Sequence, residues 1–178
     1  MPNFRETLLP TDREAIRRLV EATGFFSGEE VEIAVELVDE RLLKGESSGY
    51  HFLIAEEGGR LSAYACFGPI PGTKCSFDLY WIVVAPEGRR RGIGRQVLAR
   101  IESRMAERGA GRIYAETSGQ PQYAPTRAFY EACGYAPAAF LEDFYAPGDG
   151  KVVYVKEIVR DSSGRRPSRR PRSAPERD

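Results

Sequence analysis

Three arginines and three glycines fall within the eight residues Glu87-Gly88-Arg89-Arg90-Arg91-Gly92-Ile93-Gly94. An apolar run ending in Val84-Ala85-Pro86 precedes them. Behind them comes a helical pattern with Val97, Leu98, Ile101 and Met105 on one stripe, Arg104 and Arg108 in the last turn, and Gly109 at the stop position. Strand, glycine-bearing loop and helix in that order predict an anion site. Gly92 and Gly94 lack a Cβ, so the backbone can turn tightly and approach a ligand closely. The helix start directs unpaired N–H groups and a partial charge of about +0.5 at it. With Arg89, Arg90 and Arg91 at the rim, a phosphate or pyrophosphate is the natural guest.

The spacing separates known phosphate loops. No Gly-Lys-Ser/Thr follows the last glycine, which excludes a Walker A loop. Gly88, Gly92 and Gly94 do not fit the dinucleotide fingerprint G-x-G-x-x-G, and no acidic residue stands at a strand end about 20 residues on. Arg89-x-x-Gly92-x-Gly94, preceded by Val84-Ala85-Pro86, resembles the acyl-CoA loop of the GNAT superfamily of N-acyltransferases. A second stretch, Tyr123-Ala124-Pro125-Thr126-Arg127-Ala128-Phe129-Tyr130-Glu131-Ala132-Cys133-Gly134-Tyr135, is similar to the GNAT element Asn-x-x-Ala-x-x-x-Tyr-x-x-x-Gly-Phe. It departs from that element in having Tyr123 for Asn, Thr126 for Ala and Tyr135 for Phe.

The resemblance implies a GNAT fold, α/β (α+β) in class, with a central mixed, mostly antiparallel six- to seven-stranded sheet flanked by about four helices. That sheet opens after its fourth strand. Acetyl-CoA, the acyl-donor substrate, is then expected with its pantetheine arm along Ile82, Val83 and Val84 and its pyrophosphate on the N–H groups of Arg90, Arg91, Gly92, Ile93, Gly94 and Arg95. Tyr123, Thr126 and Phe129 would flank the arm. The implied reaction is direct attack of an amine on the thioester. Tyr130 is the expected acid for the departing thiolate. Asp78 is the expected base: it stands in the apolar strand Ser76 to Val84, eleven residues before Arg89, where family members that use a carboxylate on this strand carry it. By two-residue alternation Asp78, Tyr80 and Ile82 would share a face, and Glu116 on the next strand is the alternative base. No metal is expected.

The remaining elements must hold these two signatures together. Asn3 to Leu9 reads as a first strand. Thr11-x-x-Glu14 and Ser27-x-x-Glu30 are capping-box patterns opening two helices that stop at Gly24 and Gly45. The first buries Ala15, Ile16, Leu19 and Val20, and the second Val31, Ala34, Val35, Val38 and Leu42. Glu32, Glu36, Asp39 and Glu40 lie on or beside its opposite face, either as a solvated row or as a border of an amine site. Tyr50 to Glu56, Leu61 to Phe67 and Ser76 to Val84 read as three sequential antiparallel strands. After the central helix come a fifth strand, Arg112 to Thr117, the short helix of the second signature, a sixth strand near Ala139 to Tyr145, and a seventh at Val152 to Val159. The only histidine, His51, begins a strand with no nucleophile pattern beside it and reads as structural.

The 178 residues, 42% of them apolar, suit one core. Residues 1–160 form the expected GNAT-type domain, and residues 161–178, built from Arg, Pro and Ser, an expected disordered tail. The tail holds six of the 26 basic side chains and three of the 26 acidic ones, so the domain itself is mildly acidic. That disfavours nucleic acid and suits a cationic small-molecule or peptide amine acceptor. The scattered Cys66, Cys75 and Cys133 suit reduced thiols. Without a signal or spanning segment, a cytoplasmic location and no membrane association are expected, as a monomer or homodimer. A competing reading is a GNAT-fold domain that binds acyl-CoA without turning it over.

Overall fold

The computed structural model describes residues 1–158. The elements run β1 (Asn3–Arg5), α1 (Asp12–Ala22), α2 (Gly28–Lys44), β2 (His51–Glu57), β3 (Arg60–Pro69), β4 (Ser76–Val84), α3 (Ile93–Glu107), β5 (Arg112–Ser118), α4 (Ala124–Ala132), β6 (Ala136–Ala146) and β7 (Asp149–Glu157). One seven-stranded sheet in the order β1-β2-β3-β4-β5-β7-β6 is antiparallel throughout except where β4 meets β5. The expected mixed sheet with four helices is what forms. The expected tail lies outside the described residues. Among those residues no helix is long and apolar enough to cross a membrane.

Two cores lie on opposite faces. The stripe of α3, with Ile93, Val97, Leu98, Ile101 and Met105 all buried, packs over Leu53, Ala65, Phe77, Leu79, Ile113 and Ala115. On the other face Ile16, Leu19 and Val20 of α1 and Val31, Ala34 and Val38 of α2 cover Phe52, Ile54, Tyr64, Cys66 and Val83. Burying side chains of this size stabilises by about 1.5–3 kcal/mol each before chain entropy is counted. Leu42, expected inside, is 37% exposed, because α2 has by then passed the edge of its core.

Several boundaries differ from those the local pattern predicts. At Ser27 the capping box forms, the Glu30 N–H donating to Ser27 Oγ and the Ser27 N–H to Glu30 Oε2. At Thr11 it does not, since Thr11 already has helical dihedrals and makes no side-chain cap. The buried Asp12 instead ties the chain before the helix, without capping it: it accepts from the Leu9 N–H at 2.6 Å and from both terminal nitrogens of Arg5. This contact also ends β1 at Arg5 rather than Leu9. The last hairpin is tighter than expected, with β6 beginning at Ala136 and running to Ala146 and β7 beginning at Asp149 and ending at Glu157.

Candidate active site

The β4–β5 ladder is short. It pairs Ser76 with Arg112, Phe77 with Ile113, Asp78 with Tyr114 and Leu79 with Ala115, and stops there. On one side β4 stays paired with β3 as far as Val84, and on the other β5 stays paired with β7 as far as Ser118. The sheet therefore splits into a cleft. Its walls are Tyr80 to Val84 and Glu116 to Ser118, and the facing edge of β4 keeps its backbone groups unspent on β5.

At the far end of β4 the chain makes a short 3-10 turn, Pro86–Gly88, then enters α3 through two residues with left-handed backbone, Arg90 at φ 60° and Gly92 at φ 79°. The first helical hydrogen bond is donated by Gln96 to the Gly92 carbonyl at 3.1 Å. Among the described residues no backbone carbonyl accepts from the N–H groups of Arg90 to Arg95. Six donors at a helix start make an anion cradle. A Cβ on Gly92 would meet no protein atom within 4 Å, so that position faces open space. Gly94 serves differently: its φ is not positive, and a Cβ there would lie 3.5 Å from both Phe129 Cε2 and Val84 Cγ2. A Cβ there would make only ordinary contact with α4 and β4, so packing does not require the glycine. The arginines divide as well. Arg91 pairs with Glu57 at 2.9 Å, Arg95 donates to the Ala132 carbonyl at 3.3 Å, and Arg89 lies over the Phe25 ring.

Asp78 lies on the face of the sheet that carries α1 and α2. A bulge alters what shares that face. Cys66 pairs with Trp81 and Phe67 with Leu79, which leaves Tyr80 as an extra residue. Tyr80 and Trp81 both pack toward α1 and α2, with Val83, whereas Ile82 and Val84 join the α3 core. The expected shared face of Asp78 with Ile82 is therefore replaced by one with Tyr80, Trp81 and Val83. Burial, helped by the Glu116 charge and opposed by Lys151, pushes the half-buried Asp78 carboxyl up from 3.8 to about 6. Glu116, by contrast, is 47% exposed and accepts from Lys151 Nζ at 2.8 Å. Burial and Asp78 push the Tyr80 phenol up to about 12.

Tyr130 is buried, with its ring 5.5 Å from Tyr135 and 5.7 Å from Phe129 and Tyr154. Burial pushes its phenol well above the ordinary range. Tyr123 is half-buried and donates from its hydroxyl to the Phe25 carbonyl at 3.2 Å; Thr126 is half-buried one turn on. His51 is apart, two strands from β4. Its Nδ1 is 3.5 Å from Glu46, and burial and Arg108 lower its pKa. In the acidic row of α2, Glu32 pairs with Arg17, Asp39 with Arg13 and Glu40 with Lys44.

Sequence reasoning missed Phe25 and Phe26, in the turn between α1 and α2. Phe26 packs on Trp81 with centroids 4.9 Å apart, and Phe25 approaches Tyr123 at 6.1 Å. The turn thus ties β4, the cradle's Arg89 and the start of α4 together across the cleft. The one local signal was an adjacent aromatic pair after Gly24, at a helix junction where apolar side chains have no periodic reason to stand.

The profile described as acetyltransferase (GNAT) family matches residues 14–135. Among solved structures, a GNAT-family protein from Desulfovibrio desulfuricans superposes with a TM-score of 0.88 at 46% identity, over 89% of this chain and 100% of that one. The ribosomal-protein-S18-alanine N-acetyltransferase of Escherichia coli gives a TM-score of 0.71 at 19% identity over 93% of this chain and 99% of its own. An aminoglycoside 6'-N-acetyltransferase complexed with coenzyme A gives 0.71 at 18% identity over 89% and 98%. These last two show a shared fold. No curated protein sequence matches.

Proposed function

The chain belongs to the GNAT acetyltransferase family, and from that premise we propose that it transfers an acetyl group from acetyl-CoA to a primary amine of a small molecule or peptide, by direct attack in a ternary complex. One observation carries the reading. The cleft opened beyond Leu79 and Ala115 joins a cradle of backbone N–H groups at the α3 start to a half-buried carboxylate, Asp78, on the same strand just before the opening.

Acetyl-CoA fits these residues. Its pyrophosphate suits the N–H groups of Arg90 to Arg95, and its amide-bearing arm suits the unspent edge of β4 at Ile82, Val83 and Val84, with Tyr123, Thr126 and Phe129 alongside. An alkylamine has a pKa near 10.4, so only about one part in 10³ is nucleophilic at neutral pH. Asp78 removes one proton from the ammonium. The nitrogen then attacks the thioester carbonyl carbon, and the carbonyl oxygen takes negative charge beside β4 N–H groups. Collapse re-forms the carbonyl and breaks the C–S bond. Tyr130, whose buried phenol is protonated at rest, gives its proton to the thiolate, and the nitrogen's second proton restores the phenol. Asp78 is preferred to Glu116 because Lys151 pairs with Glu116, whereas burial raises Asp78 toward the pKa a useful base needs.

The test is an amine library with acetyl-CoA and a thiol-release readout. Thiol release that depends on an amine, with acetylated product identified by mass, is the expected result. Acetyl-CoA binding without turnover of any amine would replace the reading with that of a non-catalytic acyl-CoA-binding domain.

A further inference from the structure

The strand β1 leaves the sheet early. Its last pair with β2 is Arg5 with Ile54, so His51, Phe52 and Leu53 have no strand on that side. Where the chain turns away through Glu6 to Leu8, a cavity of about 260 Å³ opens against the start of β2 and the ends of α2 and α3. Sites for drug-sized ligands hold roughly 300–1,000 Å³, so a guest here is small. Three nitrogen-bearing side chains converge on it from three elements: Arg41 of the last turn of α2, Arg108 at the end of α3, and His51. Helix ends favour basic residues in any case, and Arg41 serves α2 by donating to the Gly45 carbonyl at 3.2 Å. His51 has no such reason to be there. Its side chain is 12% exposed, Glu46 Oε2 stops 3.5 Å from its Nδ1, and neither ring nitrogen makes a hydrogen bond among the described residues. A polar group so placed costs stability until something satisfies it.

The carboxylates on the lining are already taken, Glu6 by Arg104 and Glu46 by Arg41. Arg104 also holds Glu107, and Arg108 pairs with no carboxylate among the described residues. The field at the imidazole is positive. Burial is the main cause lowering its pKa, and Arg108 and Arg41 lower it further by more than Glu46 and Glu6 raise it. We propose that this notch binds a small dianionic oxyanion, a phosphate-like group or a short dicarboxylate, between Arg41, Arg108 and His51. Glu46 stands in for that ligand. Its side chain is 71% exposed on the short turn after α2, so it can rotate into water and yield Arg41 to a stronger anion. Protonated His51 supplies a third charge-assisted donor, so anion binding and protonation of His51 strengthen each other. The notch is separate from the proposed catalytic cleft, because the 15 residues of α3 put it about 20 Å from the cradle at the other end of that helix. The inference does not depend on the catalytic reading.

His51 is the only histidine, so its ring-proton NMR resonance reads the site directly. The probes are sulfate and oxalate, each compared with chloride at equal ionic strength. At least one should raise the His51 titration midpoint by about half a pH unit or more, and the larger rise distinguishes a tetrahedral oxyanion from a dicarboxylate. Two exposed positions supply the variants. Arg108→Gln should raise the resting midpoint, since Arg108 lowers it, and most of the anion-driven rise should disappear. Glu46→Gln should lower the resting midpoint and enlarge the anion-driven rise, since the internal competitor is gone. A midpoint that answers to sulfate and oxalate no more than to chloride would overturn the proposal. So would a rise that persists undiminished in Arg108→Gln, which would place the anion elsewhere, or one that shrinks in Glu46→Gln.

Discussion

The two ends of the cleft are built from different materials. On the proposed reading the donor end is mostly backbone: the unspent edge of β4 and the N–H groups from Arg90 to Arg95, with the left-handed Gly92 leaving open space beside them. On the same reading the acceptor end is mostly side chain: Asp78, Tyr80 and Trp81 of β4, Phe25 and Phe26 of the α1–α2 turn, and Glu116 of β5. Backbone recognition is blind to most substitutions and suits a ligand that does not change. Side-chain recognition can be retuned residue by residue. A substitution at one end should therefore leave the other's property nearly untouched.

The largest expected break comes from Asp78→Asn, which keeps the shape and removes the base. Turnover near pH 7 should fall by roughly 10²–10⁴-fold, the range for a positioned general base, with acetyl-CoA affinity unchanged in a direct titration. In the wild type kcat should rise with pH through about 6 as Asp78 ionises. In the variant that step should vanish and rate return only as the amine loses its proton unaided. An unaltered profile would transfer the role to Glu116.

A smaller effect should follow from Trp81→Ala, which removes the ring Phe26 packs on. The α1–α2 turn loses its anchor on β4, and KM for the amine should rise about tenfold, a cost of about 1.4 kcal/mol, while KM for acetyl-CoA holds. An equal rise in both would show that the turn supports the donor end too.

The smallest concerns stability, and its sign is opposite to that of activity. Asp78 has a folded pKa of about 6 against an ordinary 3.8. The folded state prefers it protonated, so its ionisation begins to cost stability as pH rises above the ordinary value, and the cost is complete above about 6. Asp78→Asn should therefore stabilise the fold at pH 7 to 8 by on the order of 1 kcal/mol once solvent screening of a half-exposed group is allowed for, seen as a higher melting midpoint, and have little effect near pH 4. A lower midpoint at pH 8 would mean that the carboxylate is held by a favourable partner.

The same division explains what the sequence made legible. The left-handed turn at Gly92 and the helix start at Ile93 follow from what glycine permits and from the count of residues after the strand end, both local, and Arg89-x-x-Gly92-x-Gly94 announces them. The acceptor end depends on contacts made by residues far apart in the chain. Nothing near Phe26 foretells Trp81, and the bulge at Tyr80, which moves Ile82 to the other face, is set by the register of β4 against β3. Thr11 shows the same limit in miniature. Its capping box is locally sound, yet α1 forms without a side-chain cap while Asp12 is held by Arg5. Arg91, counted at the sequence level with the anion's charges, is drawn to Glu57 on the β2–β3 hairpin for the same reason.

The most direct measurement is a calorimetric titration of acetyl-CoA into Gly92→Val, with Gly92→Asn as its control. At φ 79° a valine is strained, and its side chain enters space that holds no protein atom within 4 Å. The account predicts a folded Gly92→Val protein whose affinity falls at least about tenfold, 1.4 kcal/mol or more. Asparagine tolerates the left-handed backbone, so Gly92→Asn should fall between that variant and the wild type. Wild-type affinity in a folded Gly92→Val protein would contradict the account, because the anion would then lie somewhere other than the start of α3.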